Sequence, residues 1–85
     1  MIYALRYEKR VLKDLDRIPE KELVRIDKTI QGLALQPHPA GVKKLVGQEN
    51  LYRVRQGDYR IIYAVDHKAR VVSILGVRHR RDVYR

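Results

Sequence analysis

Residues 51–65 read LYRVRQGDYRIIYAV. Two runs of alternating apolar and polar or β-branched residues, 51–56 and 59–65, flank the pair Gly57-Asp58. That pair suits a two-residue turn, so the stretch predicts a β-hairpin. Side chains two apart on a strand share a face. Arg53 and Arg55 therefore fall together, opposite Tyr52 and Val54, and Arg60 falls with Ile62 and Ala64, opposite Tyr59, Ile61, Tyr63 and Val65.

Working outward, residues 66–69 (DHKA) read as a second turn and residues 70–77 as a Val/Ile-rich strand. Upstream, Pro37, Pro39 and Gly41 mark residues 36–47 as a loop. Before it the apolar period changes to that of a helix. Leu23, Ile26, Ile30 and Leu33 make one stripe, and Val11, Leu12, Leu15 and Ile18 make another. Pro19 separates the two, with Glu20 and Glu22 suited to a helix N-terminus. Residues 2–7 read as a short first strand. The predicted class is α+β in the order β-α-α-β-β-β: a small antiparallel sheet with a helical hairpin packed on one face, in a single domain spanning residues 1–85.

Composition narrows the function. The chain has no cysteine and three scattered histidines, His38, His67 and His79, without ligand spacing, so no metal and no cofactor are expected. No apolar run approaches the ~20 residues of a membrane span, and the start does not resemble a signal peptide; a cytoplasmic protein with no membrane partner is expected. The net charge is +9 and uneven. Residues 1–42 hold eight basic and six acidic side chains, and residues 43–85 hold eleven and four, with eight of those eleven arginine. Arginine's planar fork suits phosphate, so a polyanionic partner is expected.

With the helices on one side, the other side of the sheet is where arginines should collect. Arg78 comes at the end of the last strand, in phase with Val72, Ile74 and Gly76. Ordinary hairpin register would let Arg53, Arg55, Arg60 and Arg78 converge on the open face, and a one-residue bulge would break that convergence. Like charges on adjacent strands are disfavoured, which argues for a functional cluster. Lys43 and Lys44 are further candidates in the loop. Tyr59 and Tyr63 read as core or rim aromatics, and His67 as a solvated turn residue.

Three segments, YEKRVLKDLDRIP (7–19), VKKLVGQENLYRVRQGDYRIIYAV (42–65) and VVSILGVRHRRDVYR (71–85), together resemble the RelE/ParE superfamily of toxins from toxin–antitoxin pairs. The resemblance implies a RelE-like endoribonuclease that cuts messenger RNA on the ribosome without metal, leaving a 2′,3′-cyclic phosphate and a free 5′-hydroxyl. It places the family's functional positions on Arg53, Arg55, Arg60, Arg78 and Tyr84, with Arg80 as a neighbour. On this basis Arg60, Arg78 and Tyr84 are the catalytic candidates, and Arg53, Arg55, Arg80, Arg81, Lys43 and Lys44 the RNA-binding ones. A phenol is a poor base unless guanidinium groups favour its phenolate, which suits Tyr84 among arginines. Some members carry lysines where this chain has Arg53 and Arg55, and arginine does not give up a proton, so the general acid is unassigned. Alternation turns His79 to the opposite face from Arg78. The implied partners are a RelB-like antitoxin with an acidic, amphipathic segment, the ribosome and its message. A ParE-like inhibitor of DNA gyrase and a non-enzymatic RNA-binding module are the alternatives.

Overall fold

The computed structural model describes residues 2–45, 47 and 49–83. Its elements are β1 (Ala4–Tyr7), α1 (Lys9–Asp16), α2 (Glu20–Leu35), β2 (Lys43–Lys44), β3 (Leu51–Gln56), β4 (Tyr59–Asp66), β5 (Val71–His79) and a short α3 (Arg80–Val83). The α+β class and the helical hairpin on a sheet agree with the sequence. Two details correct it. The sheet is five-stranded and mixed, in the order β1-β5-β4-β3-β2, because β1 runs parallel to β5 from Ala4↔Val71 to Tyr7↔Ile74. Lys43 and Lys44, expected in a loop, instead form β2 against Arg53 and Tyr52 of β3.

The apolar stripes meet the sheet as the periods predict except at Leu12, which is 57% exposed. Val11 and Ile18, with Ile26, Ile30 and Leu33 of α2, are buried against Val54, Ile61, Tyr63, Val65, Val72, Ile74 and Val77. Pro19 accepts the backbone N–H groups of Glu22 and Leu23, so it closes the first turn of α2 while interrupting the chain after α1. Pro37 and Pro39 follow α2 and cannot continue it. The carbonyl of Pro37 accepts the buried Tyr63 hydroxyl at 2.7 Å, which fastens the loop after α2 to the centre of the sheet. Burial pushes the Tyr63 phenol up from its ordinary range.

The β4–β5 pairing contains the decisive irregularity. Ile62 pairs with Gly76 but Tyr63 pairs with Ile74, so Leu75 is an extra residue in β5. Val72 and Ile74 face the core. Strict alternation from them would carry Arg78 to the core face as well. The bulge shifts the phase by one, so Val77 is buried and Arg78 lies opposite Arg60. The expected effect of a bulge is thus reversed: the extra residue creates the alignment of Arg60 with Arg78. Asp14 of α1 secures it, its Oδ2 accepting the Val77 backbone N–H at 3.1 Å, beyond the point where β1 stops pairing with β5.

Residues far apart in sequence close the other end of the sheet. The Tyr3 hydroxyl lies 2.6 Å from His67 Nδ1, and the Nε2 atoms of His67 and His38 are 3.0 Å apart. The His38 ring also meets Tyr52 edge-on at 4.7 Å. His67 is exposed in its turn, as expected, and is also bonded to Tyr3 and His38. Burial and the neighbouring His67 together hold His38 below the ordinary imidazole range.

Two outcomes are expected. Deleting Leu75 removes the extra residue and leaves Ile74 opposite Tyr63, Val77 opposite Ile61 and Arg78 opposite Arg60 in an unbulged ladder. The variant should therefore keep cooperative melting; its loss would show that the bulge itself, beyond the phase it sets, holds the strand in place. A histidine whose folded pKa is depressed stabilises the fold while neutral. Its contribution is present above the unfolded value of ~6.5 and is lost as pH falls through the folded value. Denaturation midpoints should decline below about pH 6.5, and His38→Gln should flatten that decline. Superimposable wild-type and variant profiles would contradict it.

Candidate nucleic-acid interface

The hairpin β3–β4 sets the first part of the site. Its register places Arg53 opposite Ile62 and Arg55 opposite Arg60, so all three arginines share the face away from the helices. Gly57 takes φ +61 in the two-residue turn, a conformation that costs a glycine nothing. Thr29 of α2 donates to Gln56 Oε1 at 2.6 Å and ties the strand next to the turn to the helix layer. Arg55 Nε donates to the Gly57 carbonyl at 3.0 Å, and Arg60 Nη1 to the Tyr59 carbonyl at 3.3 Å. These bonds use part of each guanidinium and leave other N–H groups for a ligand.

Arg53, Arg55, Arg60, Lys43 and Gly41 line one cavity of about 280 Å³. Among the described residues its lining contains no carboxylate, so four cationic side chains face one another there without a described counter-charge. Such a cavity favours a polyanion, because phosphate oxygens supply the missing charge and accept forked guanidinium bonds.

The remaining candidates are distributed around it. Arg78 is cross-strand to Arg60, but its side chain lines a second cavity of about 230 Å³ with Asp14, Arg17, Ile18, Tyr59, Val77 and His79. The convergence expected for four arginines is therefore three in one cavity and Arg78 beside it. Lys44 pairs with Tyr52, whose ring lies on the side of the buried Tyr63. It thus points away from Lys43, and the two lysines do not act together. Arg80 is tethered to the hairpin turn: its N–H donates to the Asp58 carbonyl at 2.7 Å, and its guanidinium lies 4.0 Å from Asp58 Oδ1. Arg81 is exposed on α3, its N–H donating to His79 Nδ1 at 3.2 Å. His79 packs edge-on against Tyr59, on the opposite face from Arg78 as alternation predicts. Tyr84 lies outside the described residues.

Two contributors were not legible as site residues. Asp14 carries no site signal in the sequence, yet its carboxylate accepts the Val77 N–H of β5 and lines the cavity that holds Arg78. Gly41 read as a loop breaker; at φ +85 it turns the chain into β2 and forms part of the basic cavity wall.

Comparison with known proteins follows the same outline. The family model for the ParE toxin of type II toxin–antitoxin systems, parDE, matches residues 5–84. The chain is 33% identical to putative toxin RelE1 of Methanocaldococcus jannaschii, over 100% of this chain and 98% of that protein. It is 32% identical to toxin RelG of Mycobacterium tuberculosis, over 100% of this chain and 99% of that one. Among solved structures, the archaeal RelE–RelB complex from Pyrococcus horikoshii OT3 contains a chain that superposes with a TM-score of 0.84 at 36% identity. The match covers 94% of this chain and 97% of that chain.

The uncompensated charge has a measurable cost. Replacing one of the facing cations by a neutral residue, as in Arg53→Gln, should raise stability by about 0.5 kcal/mol at low salt, the scale of like-charge cross-strand pairs. The gain should shrink toward zero at high ionic strength. A salt-independent change, or a loss at low salt, would mean the cluster is not self-repelling.

Proposed function

The chain belongs to the RelE/ParE family of type II toxin–antitoxin toxins, and from that premise we propose that it is a ribosome-dependent endoribonuclease that cuts messenger RNA and so halts translation. The carrying observation is the carboxylate-free cavity lined by Lys43, Arg53, Arg55 and Arg60, with Arg78 registered against Arg60. RNA brings its own nucleophile, the 2′-hydroxyl. The protein must accept its proton, neutralise the phosphorane and deliver a proton to the leaving 5′-oxygen.

In this mechanism Arg60 and Arg78 grip the scissile phosphate from neighbouring strands. Arg53 and Arg55 hold the adjoining backbone or stack on bases. Tyr84 is the base, its phenolate favoured by the guanidinium groups. Arg80 and Arg81, at the end of β5, extend the basic track. The products are a 2′,3′-cyclic phosphate and a 5′-hydroxyl, with no metal in the step. The site acts in the cytoplasm, where ribosomes and messages are; among the described residues no helix is long and apolar enough to cross a membrane.

An antitoxin is the expected protein partner, as the relative from Pyrococcus horikoshii is a RelE–RelB complex. Charge directs its acidic segment. A groove of about 590 Å³ between α1 and α2 includes Asp16, Glu20 and Asp27 in its lining, whereas the open face of the sheet is arginine-rich. An acidic segment is therefore drawn to the sheet face, where it would compete with RNA.

A second function rests on the matched family model itself, whose description is that of ParE. As a gyrase inhibitor the protein would use its basic end to grip a protein–DNA complex and cut no RNA. A non-enzymatic RNA-binding module would keep its phenotype without Tyr84.

Primer extension on ribosome-bound messages after induced expression separates these outcomes. Wild type should produce cuts, and Arg60→Ala and Tyr84→Phe should each slow them by roughly 10²-fold or more. Intact messages with DNA breaks would place the protein among gyrase inhibitors. An unimpaired Tyr84→Phe would remove the tyrosine from the mechanism.

A further inference from the structure

Breaking the P–O5′ bond of RNA leaves an alkoxide that needs a proton, and arginine keeps its proton at any pH where a protein is folded. Arg53, Arg55 and Arg60 can hold charge but cannot supply that proton. The fourth cation in their cavity is Lys43. An ammonium group carries three protons on a flexible stem and can give one up.

The fold explains how a residue from an apparent loop reaches this position. Pro37 is fixed by the Tyr63 hydroxyl, and the Pro39 carbonyl accepts the Val42 N–H at 3.2 Å. Gly41, at φ +85, turns the chain so that β2 runs antiparallel to β3. The pairing is Lys43↔Arg53, so these two side chains share the open face and Lys44 takes the other. Had β2 slipped by one residue, Lys44 would have replaced Lys43 in the cavity.

The histidines and the buried Tyr63 lie outside the cavity of Arg53, Arg55 and Arg60, His79 lining the neighbouring one with Arg78. His79 lies across β5 against the Tyr59 ring, with Nδ1 accepting the Arg81 N–H. His38 and His67 are bonded to each other at the opposite end of β4. Tyr63 is buried and donates to Pro37. Lys43 is exposed on an edge strand and lines the same cavity as Arg53, Arg55 and Arg60.

We propose that Lys43 is the general acid that protonates the leaving 5′-oxygen, an assignment that rests on the endoribonuclease function above. In the balanced step, the 2′-oxygen bonds to phosphorus as its proton passes to the Tyr84 phenolate. The P–O5′ bond breaks, and one proton moves from the Lys43 ammonium to O5′. The products are the cyclic phosphate, the 5′-hydroxyl, neutral Tyr84 and a neutral amine that water reprotonates. The transfer also removes one of four facing positive charges.

The test is single-turnover cleavage of a ribosome-bound message by wild type, Lys43→Ala and Lys43→Arg. It uses an ordinary phosphodiester and one with a 5′-bridging sulfur at the cut site. A thiolate leaves without protonation, so loss of the acid should not slow that substrate. Both variants are expected to be slowed roughly 10²-fold on the oxygen substrate and to match wild type within a few-fold on the sulfur one. Wild-type rates from Lys43→Arg on the oxygen substrate would reduce Lys43 to a positive charge and overturn the assignment. Equal slowing of Lys43→Ala on both substrates would overturn it in favour of phosphate binding. No cleavage of either substrate by wild type would overturn the endoribonuclease function, and the assignment with it. Thermal melting of Lys43→Arg at the wild-type Tm, and of Lys43→Ala at or slightly above it because one facing cation is gone, shows that an exposed edge residue was changed without loss of fold.

Discussion

One extra residue, Leu75, and one side-chain hydrogen bond, from the Val77 N–H to Asp14, set the phase of the last strand. Every basic residue after Gly76 takes its direction from that phase. The bulge is kept by what surrounds it. On its N-terminal side β1 holds Val71 through Ile74 in parallel register, and on its C-terminal side α1 replaces β1 along the same edge. The Glu8 N–H on the Ile74 carbonyl marks the handover from strand to helix. Gly76 lies at this crossing between the Arg78 side chain and the Asp14 carboxylate, with room for a Cβ in ordinary van der Waals contact with both.

The two faces of the sheet divide stabilising and functional roles. The helix face holds the buried core of valines, isoleucines and Leu33, and Tyr63 joins them with its hydroxyl satisfied. The opposite face carries facing cations whose repulsion opposes folding. Such a cluster persists because the core and the mutual support of neighbouring elements outweigh it. Its geometry is held by backbone register, with few ion pairs. Backbone pairing fixes where each guanidinium begins, and the flexible stems leave its far end free to follow a phosphate.

Most of the architecture was legible because local signals agreed with one another. The period changes from helical to alternating at the Pro37–Gly41 breakers, and Gly57-Asp58 interrupts the alternation at the hairpin turn. What stayed hidden was non-local. A strand alternates identically whether its neighbour is parallel or antiparallel, so the direction of β1 against β5 could not be read. A two-residue strand such as β2 has no period. The bulge leaves no mark in composition, and its consequence was inverted: it was expected to scatter the arginines, yet it brings Arg78 across from Arg60. His38 and His67 carry no ligand spacing because their approach depends on the loop after α2 meeting the β4–β5 turn. The arginines of the hairpin were legible as a face. The separate cavity of Arg78 was not, since it depends on where α1 crosses the edge.

The parallel pairing of β1 with β5 also orders events in time. Ala4 finds its partner only at Val71, and Asp14 finds its own only at Val77. During synthesis, β1 and α1 emerge with their sheet-edge positions vacant and wait for nearly the whole chain to follow. The local β3–β4 hairpin can close early, but α1 cannot dock on a strand that has not yet been made. Arg78 thus gains its place beside Arg60 only after the final strand has been synthesised. A protein built this way cannot complete its basic face on the ribosome that is still making that strand.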